Sequence, residues 1–105
     1  MSLTNDAFLR EKINNFVGFL SVCLHARLDN ERYAEGKKRL EELRTCDTAH
    51  FIIYCTTEMT PYKSNITAYI QKLLAENKVD IKDISAAEKN KLERYIECFI
   101  ACVEQ

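Results

Sequence analysis

Apolar side chains recur along this chain at three- and four-residue steps, and that rhythm predicts helices almost from end to end. Leu9, Ile13, Phe16, Leu20, Cys23 or Leu24, and Leu28 mark one face of a first helix. Thr4 or Asn5 can cap its start, with Asp6 favourably placed in the first turn. Between Phe16 and Leu24, Val17, Phe19 and Val22 widen the stripe until little polar surface remains, which predicts a helix enclosed by others or covered by a partner.

After a turn or cap at Asp29 and Asn30, Tyr33, Gly36, Leu40 and Leu43 form a narrow apolar edge on a strongly charged segment, so this second helix belongs on the outside. Gly36 costs it about 1 kcal/mol relative to Ala; either the helix is weak there or another backbone comes close. The run Ala49 to Cys55 is short, apolar and β-branched, and suits a buried strand equally well. No second segment offers it a pairing partner and Asp47 is a good cap, so a third helix reaching about Met59 is expected.

Thr60-Pro61 predicts the start of a fourth helix, with Thr as cap and Pro at the first helical position. Its stripe is Tyr62, Ile66, Tyr69 or Ile70, and Leu73 or Leu74, and Asn77-Lys78 ends it. Val79 to Ile84 alternates apolar and charged residues, as an extended connection pinned to the core would. Ser85 and Glu88 have the spacing of a capping box, and Leu92, Tyr95 or Ile96, Phe99, Ile100 and Val103 carry a last helix to the C-terminus. The expectation is an all-α fold, a compact bundle of four to five helices spanning residues 1–105 as a single domain, with the first and last helices at its centre.

Composition supports that picture. Two glycines and one proline are too few for a sheet protein's hairpins or a disordered chain. With 15 basic and 16 acidic residues the formal net charge is -1, which gives no bulk attraction to phosphate. Five cysteines, an odd number, favour a reducing compartment and an intracellular location, cytoplasmic or nuclear. A signal peptide built on Arg10, Lys12 and the run Phe16 to Leu24 is disfavoured, because Asp6 and Glu11 dilute its positive start. That run is too short to cross a bilayer, so no membrane partner is expected.

Site chemistry is sparse. Cys98 and Cys102 share a helix face and could place two thiolates on one metal or redox couple, with Cys55 or His50 completing a ligand set. Buried packing is the commoner fate of such cysteines. Lys37, Lys38, Arg39 and Arg44 are the one basic concentration and could touch phosphate, yet interleaved acids leave residues 27 to 44 at a net +1. No nucleophile and base stand at a catalytic spacing, no glycine-rich phosphate loop exists, and no cofactor is expected. The aromatic residues exceed what so small a core must enclose, so some should reach the surface as docking anchors. Phe16, Phe19, Tyr33, Tyr62, Tyr69 and Tyr95 are the candidates. The leading expectation is therefore a non-enzymatic module that binds a protein partner or a second copy through its first or last helix. A thiol-based metal or redox protein is the alternative, and a nucleic-acid accessory protein using residues 37–44 the weaker one.

Overall fold

A computed structural model describes the chain from Leu3 to Glu104, with side chains from Asp6 onward. Among these residues five α-helices follow one another with no strand: α1 Leu3–His25, α2 Asn30–Thr45, α3 Thr48–Tyr54, α4 Ile66–Glu76 and α5 Ala86–Val103. The expected cap at Thr4 or Asn5 lies outside the described side chains, and α1 is already helical at Leu3.

Each later helix starts where a short polar side chain can bind a free amide. Asp29 accepts from the Arg32 amide at 2.8 Å, and Asp47 from that of His50 at 2.8 Å. Asn65 accepts from Ala68 at 3.2 Å. At α5 the capping box is complete: the Glu88 amide donates to Ser85 at 3.1 Å, and the Ser85 amide to the Glu88 carboxylate at 2.8 Å. Residues 49–55 are helical, and the chain stays helical to Met59, but as a widened π turn over Cys55–Met59.

The expected start of the fourth helix is corrected. Thr60 has helical backbone angles and cannot cap; its hydroxyl donates back to the Cys55 carbonyl at 3.2 Å. Pro61 sits in a 3₁₀ turn, Thr60–Tyr62, that prolongs the preceding helix, and α4 begins only at Ile66. The cause is proline's missing donor and its clash with the carbonyl four residues back, which a regular α-turn cannot absorb and a widened one can. Tyr62 therefore belongs to this turn rather than to the stripe of α4.

α4 ends in a Schellman motif: the Lys78 amide donates to Ala75 and the Val79 amide to Leu74, with Lys78 left-handed at φ 63°. Val79 is buried against the helix it has just left. The link to α5 is pinned by Val79, Ile81 and Ile84 as expected, although it is not extended throughout: one 3₁₀ turn, Ile81–Asp83, interrupts it.

The core lies where α1, α3 and α5 converge. The Phe99 ring meets Phe16 edge-on at 5.4 Å between centroids and Phe51 at 4.9 Å. Leu20, Ile70, Leu74, Leu92 and Ile96 fill the space around them, each fully buried and contributing roughly 1.5–3 kcal/mol. α2 packs on α1 through Gly36 and Leu40. At Gly36 it is a side chain that approaches, not a backbone: a Cβ there would stand 2.7 Å from the Asn77 carbonyl oxygen. Asn77, the one buried polar residue described, donates to Leu73 at 2.8 Å and accepts from Arg39 at 3.2 Å.

Of the two alternatives expected for α1, enclosure by the chain's own helices is not what the structure shows. The widened stripe does not enclose it: Val22 is 67% exposed, Phe8 44%, and Gly18 faces open space. A whole edge of the helix is uncovered.

Candidate functional site

That uncovered edge follows from the way α1 meets α5. Phe16 touches Phe99 and Tyr95, Phe19 lies beside Tyr95 and Lys91, and Arg27 reaches Glu88. Partner numbers fall as α1 numbers rise, so the two helices are antiparallel. Along α1, Phe8, Lys12, Asn15, Phe19, Val22 and Ala26 recur at steps of three and four and form one outer stripe. The facing stripe of α5 carries Ala87, Asn90, Lys91, Arg94, Tyr95 and Cys98.

Lys12 and that α5 stripe line a groove of about 630 Å³. Its charge is one-sided: Lys12, Lys91 and Arg94 contribute three cations, no acid lines it, and none of the three forms an ion pair among the described residues. Lys91 holds its ammonium 4.6 Å above the Phe19 ring, and Lys12 lies 5.3 Å from that of Phe8. Aromatic faces hold these cations near the groove while leaving their charge unneutralised, an arrangement that attracts a ligand anion.

At its other end the same helix pair is closed. Arg27 donates to both Glu88 oxygens, at 2.6 and 3.1 Å, and to the Cys23 and Asp83 carbonyls at 3.0 Å each. The Ser85 amide and the Arg27 guanidinium hold the Glu88 carboxyl down at about 2. Burial, together with the hydrogen bond it makes to Glu88, pushes the Cys23 thiol up to about 11. Arg27 and Glu88 thus neutralise each other within the fold.

A second, smaller cavity of about 180 Å³ adjoins the π turn, between Tyr54, Glu58, Tyr69, Lys72, Leu73 and Glu76. The Tyr54 and Tyr69 hydroxyls hydrogen-bond at 2.7 Å, and burial raises both phenols. Lys72 pairs with Glu58 at 3.2 Å and is held protonated by it. A protonated lysine and two neutral phenols supply no nucleophile at neutral pH, and the Glu58 carboxylate is taken up by Lys72.

The residues singled out by sequence scatter across the molecule. Phe16 and Tyr69 are buried and present no docking surface. Tyr33 is half-buried against His25, Tyr62 lies over Tyr69, and Phe19 and Tyr95 flank the groove. Of the basic segment, Arg44 is engaged by Glu41 at 2.6 Å, and Arg39 by the Glu76 carbonyl and Asn77; Lys37 and Lys38 are exposed. Cys98 and Cys102 are half-buried, whereas Cys55 is buried near Cys102 and Cys46 and its thiol is pushed up to about 12, chiefly by burial. His50 is exposed on α3, its ring bonded to the cap Asp47 at 2.7 Å. Among the described residues no three His, Cys, Asp or Glu side chains converge to hold a metal ion, and no helix is long and apolar enough to cross a membrane.

Sequence reasoning missed the groove because Lys12 comes from the first helix and Lys91 and Arg94 from the last. The signal that could have found it was the outer stripe of α1, apolar at Phe8, Phe19 and Val22 and flanking its core stripe. No protein-family model matches this chain, and no curated protein or solved structure does either, so what the groove can do is read from its geometry.

Proposed function

We propose that the chain is a docking module whose α1–α5 groove receives an acidic, amphipathic helix of a partner protein. Two antiparallel helices with an uncovered outer seam present the surface a third helix fills in a bundle. Apolar positions of the incoming helix lie against Phe8, Phe19 and Val22, and its carboxylates meet Lys12, Lys91 and Arg94. The observation that carries the reading is the set of three cations without acidic partners in a groove flanked by aromatic rings.

A second copy is the weaker occupant. A two-fold contact through this groove would set its cations against their own symmetry mates, which opposes association. Nucleic acid would need a broader basic footprint than three side chains on a chain of net charge -1.

The test is titration of the labelled chain with three designed helical peptides: acidic amphipathic, its basic counterpart, and an acidic one without apolar positions. The acidic amphipathic peptide should bind best, should perturb amide resonances along α1 and α5, and should weaken at least tenfold in a Lys12→Gln, Lys91→Gln, Arg94→Gln variant. Equal binding of the basic peptide, perturbations confined to α2–α4, or a dimer with α1 and α5 buried would each overturn it.

A further inference from the structure

Cys98 sits inside the groove that Lys12, Lys91 and Arg94 surround, and it is half-exposed there. None of the other four cysteines lines that space. Cys23 is buried beside Glu88, and Cys55 is buried near Cys102 and Cys46. Cys46 lines a different groove, with Glu42 and Glu76 as well as Arg39. Cys102, one turn beyond Cys98 on α5, lies outside the lining, and its thiol is pushed up by burial and by Cys98 beside it. One cysteine of five therefore lines this cationic groove, half-exposed and beside Cys102, with room next to it for a ligand larger than a few atoms.

We infer that the groove is a thiol-modification site: it gathers an anionic disulfide of the glutathione disulfide type and delivers it to Cys98. Each half of that molecule carries two carboxylates and one ammonium, so the three cations attract it and repel a cationic disulfide of similar reactivity. The groove, about 630 Å³ and open to solvent, is large enough to seat a small-molecule ligand. Selection acts on the charge of the incoming molecule, by raising its local concentration at the sulfur.

The step balances without a further reagent. Cys98 loses its proton to water, and the thiolate attacks one sulfur of the disulfide along the sulfur–sulfur axis. A Cys98–glutathione disulfide bond forms as the original sulfur–sulfur bond breaks. The electron pair leaves on the second glutathione, which is thereby reduced and takes up a proton. The same exchange run backwards by excess reduced glutathione restores the thiol. The inference requires only the groove and its sulfur, whether or not a helical partner docks there.

The experiment treats the folded chain at low ionic strength with glutathione disulfide or, separately, with the dication cystamine, and follows adducts by intact mass and peptide mapping. The expected result is a first adduct on Cys98, formed about tenfold faster with glutathione disulfide than with cystamine. That ratio should collapse toward one at high salt and in the Lys12→Gln, Lys91→Gln, Arg94→Gln variant. In a Cys98→Ser variant the fast phase should vanish. Equal rates for the two disulfides on the unsubstituted chain, a first adduct on Cys46 or Cys102, or no adduct on the folded chain would overturn the assignment. The comparison of two disulfides on one folded protein does not depend on any variant folding. Loss of peptide docking with this selectivity intact would reject the docking reading alone.

Discussion

The two ends of the α1–α5 pair use the same kind of side chain to opposite effect. At the Arg27 end the guanidinium is enclosed by two carbonyls and a bidentate carboxylate, and both partners are largely shielded from solvent, with side-chain exposures of 22% and 23%. At the Lys12 end three cations face a groove with only aromatic rings for company. A cation neutralised within the fold holds helices together and is invisible to a ligand; one left unpaired adds little to stability and much to the local field. The first end therefore serves the fold, and the second is free to recognise something else.

This contrast can be broken most strongly at Glu88. Glu88→Ala removes half of the capping box and leaves Arg27 without its carboxylate, and should lower unfolding free energy by about 2–4 kcal/mol in urea denaturation. A loss below about 1 kcal/mol would mean that the closed end is not the structural one. Acid should produce the next largest effect. Glu88 in the folded chain titrates near about 2, below an ordinary glutamate, so its stabilisation is complete above about pH 4.5 and disappears as pH falls toward 2. Thermal unfolding between those values should show a decline of about 2 kcal/mol that Glu88→Gln substantially flattens.

Two milder substitutions sharpen the comparison. Lys78→Gly relieves a left-handed backbone remote from both ends, and should raise stability by about 0.5–1 kcal/mol while leaving peptide docking unchanged. Arg94→Gln, in the open groove and without an ion-pair partner among the described residues, should shift stability by less than about 0.5 kcal/mol, measured by the same denaturation. A larger loss there would place Arg94 with Arg27, among the groups that hold the fold.

What the sequence made legible was local. Asp29, Asp47 and the Ser85–Glu88 box act at their own helix starts, so spacing alone reveals them. The fourth helix was misplaced because Thr60-Pro61 has the same local signature whether proline opens a helix or prolongs one through a widened turn, and only the packing of Cys55 and Met59 distinguishes the two. Glu88 was recognised as a cap, but its bond to Arg27 joins parts of the chain that no local pattern links. For the same reason Arg39 and Arg44 read as available cations until Asn77, Glu76 and Glu41 are seen to hold them. Of the aromatic candidates, spacing put Phe16 and Tyr69 on apolar faces without deciding whether those faces met the core or a partner.

The widened turn at Cys55–Met59 also sets an angular phase. Four residues of regular α-helix overshoot a full turn by about 40°, so the side chains at Phe51 and Cys55 drift around the axis. A turn holding more than four residues drifts the other way, and Met59 returns beneath Phe51, so that all three are fully enclosed in one column. Trimming a single residue from that ring would place the methionine seven residues after Phe51 in regular helix, within about 20° of the same column, so the widened turn takes up one extra residue without disturbing the buried face.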